Sequence, residues 1–234
     1  KARISVRVNP DVDAGTHEKI STGRKSDKFG VPWSEVRETY EKARSLSHLE
    51  VQGVACHIGS QITDLIPFCD AFAKVAELAR DLLADGFPLQ RIDFGGGLGI
   101  QYKDETHVTV TDYAEAVMQH VRPLGLALFL EPGRSISASA GALISKVQLI
   151  KYSDEKSFVV LDAGMNDLAR PAIYDAYHKI IPVRQGESAE CYDVVGPVCE
   201  SSDVFGTNRR LPEMNSGDLV AILDADKEGY LRSY

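Results

Sequence analysis

No stretch of the 234 residues approaches the roughly 20 consecutive apolar residues needed to cross a bilayer. Nothing after Lys1 has the charged start and apolar middle of a signal peptide. Basic charge is also short: the net charge of −8 argues against nucleic acid as the main partner, because a phosphate-binding surface needs a dominant basic patch. A small anion held by a few local cations remains open. Cysteine is sparse. Cys56, Cys69, Cys191 and Cys199 form no C-x-x-C pair and have no matching histidine spacing, which excludes a structural zinc site as an expectation. The chain is also too large and too poor in cysteine for a disulfide framework. Reduced thiols in a cytoplasm fit best, most of them packed as small hydrophobes. Walker A, G-x-S-x-G and H-E-x-x-H sequences are missing, as are internal repeats and low-complexity tracts. No metal is expected.

What is there is a soluble globular composition, 44% hydrophobic and 26% charged. The first part alternates strand and helix signals. RISVRVN (3–9) reads as a strand and PWSEVRETYEKARSLS (32–47) as a helix opened by Pro32. A strand follows from about 51, a helix over about 64–85 stopping at Gly86, a strand in RIDF, a helix in DYAEAVMQHVRPLG and an apolar strand in LALFLEPGR. Apolar strands alternating with amphipathic helices predict parallel βαβ units, hence an α/β fold. From about residue 140 the pattern turns to strands: ALISKVQLIKY, KSFVVLDAG, AECYDVVGPVC and GDLVAILDA. The predicted organisation is therefore an α/β domain over 1–139 and a mostly β domain over 140–234.

Polar residues collect where the strands end: His57 and Ser60, then Gly95, Gly96 and Gly97, then Glu131 and Arg134. In parallel α/β folds ligands sit at that carboxyl edge. Three consecutive glycines at a strand end suit either a phosphate held by bare backbone N–H groups or a tight turn, and the residues alone leave both open. A dinucleotide fingerprint fails, since Ile100 stands where the third glycine of G-x-G-x-x-G belongs. His57 by itself suits a satisfied core histidine. Glu131 closes an apolar strand, where a carboxylate is costly without a cation or a proton donor, and Arg134 three residues on could be that partner.

The motifs CHIGSQ (56–61), DFGGGLG (93–99), EPGRS (131–135), DAGMNDLARPAIYDAYH (162–178) and GPVCESSDVFG (196–206), with NPDVDAGTHEKISTG near the start, together resemble the meso-diaminopimelate decarboxylase family. The resemblance runs along essentially the whole chain. It implies a pyridoxal 5′-phosphate enzyme with an alanine-racemase-like (β/α)8 barrel followed by a β domain, acting as a homodimer whose active sites lie between subunits. It implies decarboxylation of meso-2,6-diaminopimelate to L-lysine and carbon dioxide, the last step of lysine biosynthesis. By that resemblance Gly95, Gly96, Gly97 and Ser60 cradle the cofactor phosphate with Arg134 close by, His57 stacks on the pyridine ring, and Glu131 hydrogen-bonds the ring nitrogen. Arg134, Arg170 and Tyr174 would hold substrate carboxylates. Cys199, as proton donor, and Glu200, reading the distal ammonium, would come from the partner subunit. Without the family, Cys199 reads as a buried thiol.

Two departures stand out. The family's Schiff-base lysine lies in a stretch like YAVKAN, and no lysine here does. About four βα units are visible, half of what closes a barrel. The expectation is that this chain is the later part of a longer polypeptide. A lysine-less, non-catalytic relative and an ornithine- or arginine-type decarboxylase are the alternatives. In DADKEGYLRSY the family's cofactor-reaching Tyr is replaced by Glu228, with Tyr230 two residues on. A carboxylate there repels a phosphate, so Glu228→Tyr is expected to tighten cofactor binding. SSD at 201–203, where the family often has SGD, is a smaller change.

Overall fold

The computed structural model describes residues 1–15, 22–24, 27–187 and 190–225. Glu228 and Tyr230, and part of the NPDVDAGTHEKISTG motif, lie outside the described residues. The chain divides into two compact units. The first comprises Lys1–Ile100 and Thr106–Gly133; the second comprises Gln101–Glu105 and Arg134–Tyr234.

The first unit is built on four parallel strands, β1 (Ala2–Arg7), β2 (Leu49–Ala55), β3 (Arg91–Asp93) and β4 (Ala127–Phe129), in the spatial order β1-β2-β3-β4. Helices α1 (Val36–Ser45), α2 (Ile66–Ala84) and α3 (Val110–Val121) alternate with them. Pro32 precedes a single 3-10 turn at Trp33–Glu35, so the regular helix begins later than the sequence pattern predicts. Helix α2 buries Phe68, Phe72, Val75, Ala79 and Leu82 along one stripe. Phe72 stacks on Phe94, just beyond β3, at 4.2 Å between ring centroids, and Phe68 meets Tyr113 of α3 edge-on at 4.9 Å. This aromatic layer fixes α2 and α3 on the end of β3, each such pair adding about 0.5–1.5 kcal/mol beyond its buried area. Thr109 caps α3: its hydroxyl oxygen accepts the Asp112 N–H at 3.1 Å. The last strand is shorter than the LALFLEPGR run suggests. Ladder pairing stops at Phe129, and Glu131 follows in the turn beyond it.

The second unit carries a six-stranded sheet among its described residues. Its strands are β5 (Ala142–Tyr152), β6 (Ser157–Leu161), β7 (Ile180–Pro182), β8 (Glu190–Val195), β9 (Val204–Leu211) and β10 (Leu219–Leu223), in the order β7-β10-β5-β6-β8-β9. All pairs are antiparallel except β6 with β8. Two short helices, α4 (Arg134–Ser137) and α5 (Arg170–Tyr174), belong to this unit. Val147, Val159, Leu161, Tyr192, Val194, Phe205, Leu211 and Ile222 form its core. Strands β7 and β9 have no counterpart in the sequence reading. The tail of AECYDVVGPVC is a turn rather than a strand: Gly196 still donates to the Asp203 carbonyl at 3.0 Å, but Pro197 has no N–H to carry the pairing on. No helix among the described residues is long and apolar enough to cross a membrane.

Candidate active site

The strand ends of the first unit are sewn together by backbone hydrogen bonds. Cys56 donates to the Asp93 carbonyl at 2.9 Å, Phe94 to Phe129 at 3.2 Å, and Glu131 to Gly95 at 2.7 Å. Ile62 donates to Gly97 at 2.9 Å. The approach is so close that side chains have no room. A Cβ on Gly95 would meet the Cys56 carbonyl oxygen and the His57 ring, one on Gly96 the Glu131 carbonyl oxygen, and one on Gly97 the Gly59 carbonyl oxygen. Gly95 and Gly97 also have φ of 67° and 107°, values that L side chains rarely adopt. The three glycines are therefore required by the junction itself, whatever it binds.

Two of their N–H groups are already engaged. Gly95 donates to the Asp93 carboxylate at 2.8 Å, and Gly96 to Nδ1 of His57 at 3.1 Å. The second bond assigns the imidazole. Nδ1 accepts, so a neutral ring carries its proton on Nε2. Burial, and then the Arg7 guanidinium, push the His57 pKa below its ordinary 6.5, while Asp93 opposes them. The carbonyl of His57 accepts from the Thr22 hydroxyl at 2.7 Å and from Arg7 at 3.4 Å, which fixes the residue from its backbone side. Cys56, beside it, is 3% exposed, and burial pushes its thiol up to about 12, which removes it as a nucleophile. Glu131 is exposed, so its carboxylate is available to a ligand. Ser60 follows Gly59, the residue whose carbonyl faces Gly97, and is half-buried. Asp93 was not singled out in the sequence. Its signal is the D-F-G spacing, in which a carboxylate caps the N–H two residues on.

In the second unit Arg134 and Arg170 are brought together. Each is 6% exposed. Both donate from Nη1 to the hydroxyl oxygen of Tyr102, at 2.7 and 2.9 Å. Tyr174 ends α5, four residues after Arg170, and is half-buried. Cys199 and Glu200 sit exposed on the turn between β8 and β9, so the buried-thiol reading of Cys199 does not hold within this chain. That turn is organised by Asp203, 3% exposed. Its carboxylate accepts the N–H of Val198 at 2.7 Å and of Met165 at 2.7 Å. One carboxylate thus ties the CESSD turn to the DAGMND turn. In the sequence Asp203 stands only within SSD at 201–203, although an aspartate closing a turn after two serines is the usual mark of such a cap.

These residues fit pyridoxal at its ring: an exposed carboxylate and a neutral, half-buried imidazole stand at neighbouring strand ends, beside a turn stripped of side chains. A phosphate oxygen taking the Gly95 or Gly96 N–H would have to displace the Asp93 carboxylate or the His57 ring nitrogen.

Residues 1–138 match the family model described as pyridoxal-dependent decarboxylase, pyridoxal binding domain. A diaminopimelate decarboxylase from Vibrio cholerae is 47% identical over the whole of this chain, which covers 56% of that protein. One from Haemophilus influenzae is 47% identical over 97% of the chain, covering 55% of its own length. The chain thus spans little more than half the length of these relatives. Among solved structures, the Helicobacter pylori diaminopimelate decarboxylase complexed with L-lysine superposes with a TM-score of 0.93 at 45% identity, over 98% of this chain and 57% of that one. The convergent strand ends and the match over residues 1–138 lead to one conclusion: the chain belongs to the pyridoxal-dependent decarboxylases.

Proposed function

We propose that this chain is the larger, later part of an enzyme that decarboxylates meso-2,6-diaminopimelate to L-lysine and carbon dioxide with pyridoxal 5′-phosphate, the last step of lysine biosynthesis. The observation that carries the reading is the junction of three strand ends, which sets His57, the bare turn of Gly95 to Gly97 and Glu131 side by side. The similarity to diaminopimelate decarboxylases supports the choice of substrate. On this reading the four parallel strands belong to an eight-stranded barrel whose other part brings the Schiff-base lysine, with the β domain following. The enzyme is a cytoplasmic homodimer with shared active sites.

When bound, the cofactor supplies an electron sink for the charge left behind as carbon dioxide departs. The chain's own residues do the rest. Glu131 would hold a proton on the ring nitrogen, because a carboxylate beside that nitrogen favours its protonated form. His57, neutral, would pack against the ring face without adding charge there. Gly95, Gly96, Gly97 and Ser60 would receive the phosphate, with the Asp93 carboxylate and Nδ1 of His57 giving up the Gly95 and Gly96 N–H groups to it, and Arg134 would lie nearby. Arg134, Arg170 and Tyr174 hold the carboxylate that the substrate keeps. A guanidinium on the departing carboxylate would stabilise the anion against loss and raise the barrier. Cys199 of the partner subunit would be the group that holds the proton for the carbon losing carbon dioxide, and its neighbour Glu200 would read the distal ammonium.

Turnover of meso-diaminopimelate, ornithine and arginine by the full-length holoenzyme tests the proposal. Lysine and carbon dioxide formed in equal amounts from the first substrate alone is the expected result. Preferred turnover of ornithine or arginine would reassign the substrate, and turnover of none would favour the non-catalytic alternative.

A further inference from the structure

Tyr102 lies five residues beyond the glycine turn, outside every motif that marks the sequence, yet it is where two buried arginines meet. Its hydroxyl oxygen accepts from Arg134 at 2.7 Å and from Arg170 at 2.9 Å. That fills the acceptor capacity of a phenol and leaves its own proton as a third donor beside the two guanidinium groups. Arg170 also packs its guanidinium over the Tyr102 ring, 4.8 Å from the centroid. The second proton of the same Arg170 nitrogen goes to His178, whose Nε2 lies at 2.8 Å. His178 is fully buried, and its Nδ1 lies 2.9 Å from the Leu223 carbonyl oxygen at the end of β10. A carbonyl only accepts and a guanidinium only donates. His178 is therefore neutral, with its proton on Nδ1 and its lone pair on Nε2 facing Arg170. The segment bearing Tyr102 is pinned in turn: the Glu105 carboxylate accepts the N–H of Tyr102 at 2.7 Å and of Lys103 at 2.8 Å.

We propose that Tyr102, backed by His178, is a positioning residue that sets the spacing of the Arg134 and Arg170 guanidinium groups, and so makes this site select amino acids that keep a second carboxylate over those that lack one. The proposal rests on the reading above in which these arginines hold the retained carboxylate. The Tyr102 hydroxyl draws two guanidinium groups that would otherwise repel onto one locus, and His178 stops Arg170 from rotating away. A carboxylate then meets a fixed fork instead of two mobile side chains, which lowers the entropy lost on binding.

The test uses the full-length holoenzyme and Tyr102→Phe, which keeps the ring and its packing and removes only the hydroxyl. KM for meso-diaminopimelate is expected to rise about tenfold or more with kcat within about twofold, the pattern of lost binding rather than lost chemistry. The dissociation constant of L-lysine, which keeps the carboxylate, should rise in parallel, while that of cadaverine, which has none, should stay put. His178→Leu should reproduce this pattern. His178→Gln should restore near-normal values, because an amide can accept from Arg170 and donate to Leu223. Unchanged L-lysine binding in Tyr102→Phe, or cadaverine weakened as much as L-lysine, would overturn the proposal. Absence of turnover in the unmodified enzyme would sink the assigned reaction instead, while the two binding constants would still decide the role of Tyr102.

Discussion

A methyl group at position 96 would overlap the Glu131 carbonyl oxygen, and that oxygen belongs to the backbone, so neither partner can swing aside. Gly96→Ala should push the β3 and β4 ends apart and cost about 1–3 kcal/mol, as overpacking does, read as a lower urea midpoint in the full-length protein. Cofactor affinity should fall with it. An unchanged midpoint would mean that the junction is looser than described. The neighbouring His57 makes a separate prediction about pH. Its folded-state pKa lies below the free value of 6.5, so the unfolded chain binds the proton more tightly. The neutral ring's contribution to stability is therefore complete above about pH 6.5 and is lost as the pH falls from there toward the folded pKa. His57→Gln should flatten the acid side of the stability profile below pH 6.5; an undiminished slope would place the titration on another group. At this scale the sequence marked His57, the glycines and Glu131 because each is an unusual residue at a strand end. Tyr102 lies outside the marked motifs, and His178 and Asp203 lie inside them without a role, since what each does depends on partners that only the fold brings to it, such as Arg134 for Tyr102, Leu223 for His178 and Met165 for Asp203.

The helices and most strands were legible because their periodicity is strong. The α2 stripe of Phe68, Phe72, Val75, Ala79 and Leu82 repeats at helical spacing, β10 is a continuous apolar run, and β5 mixes apolar residues with Ser145, Lys146, Gln148 and Lys151 as a half-buried strand does. Strand β9 was not, because VFGTNRRL carries a glycine, an asparagine with φ of 52° and two arginines, and only Phe205 and Leu211 face the core. Its pairing to β8 overrides its poor propensity. The turn between β8 and β9 depends on one element-scale device, the Asp203 carboxylate. Asp203→Ala would leave the part-buried N–H groups of Val198 and Met165 without their acceptor, a loss of about 1–3 kcal/mol in stability. Turnover should fall along with it, since Cys199 and Glu200 ride on that turn. Asp203→Asn keeps one acceptor oxygen and should lie between. Equal stability of Asp203→Ala and the unmodified protein would show that the turn holds itself.

For the whole molecule, the proposed dimer makes a prediction that no single chain can meet. If His57 serves the site of its own subunit and Cys199 serves the partner's, His57→Ala and Cys199→Ala proteins are each impaired alone. Mixed and allowed to exchange subunits, they should regain about a quarter of the activity, because half the dimers are mixed and each has one intact site. No recovery would put both residues in one subunit's site. The four parallel strands and the greater length of the relatives are what support the proposed place of this chain in a larger barrel. The most direct measurement is the structure of the full-length enzyme with pyridoxal 5′-phosphate bound. The account predicts the Glu131 carboxylate within hydrogen-bonding distance of the ring nitrogen and His57 against the ring face. A coenzyme seated away from these strand ends, or a Glu131 side chain turned from the ring, would contradict it.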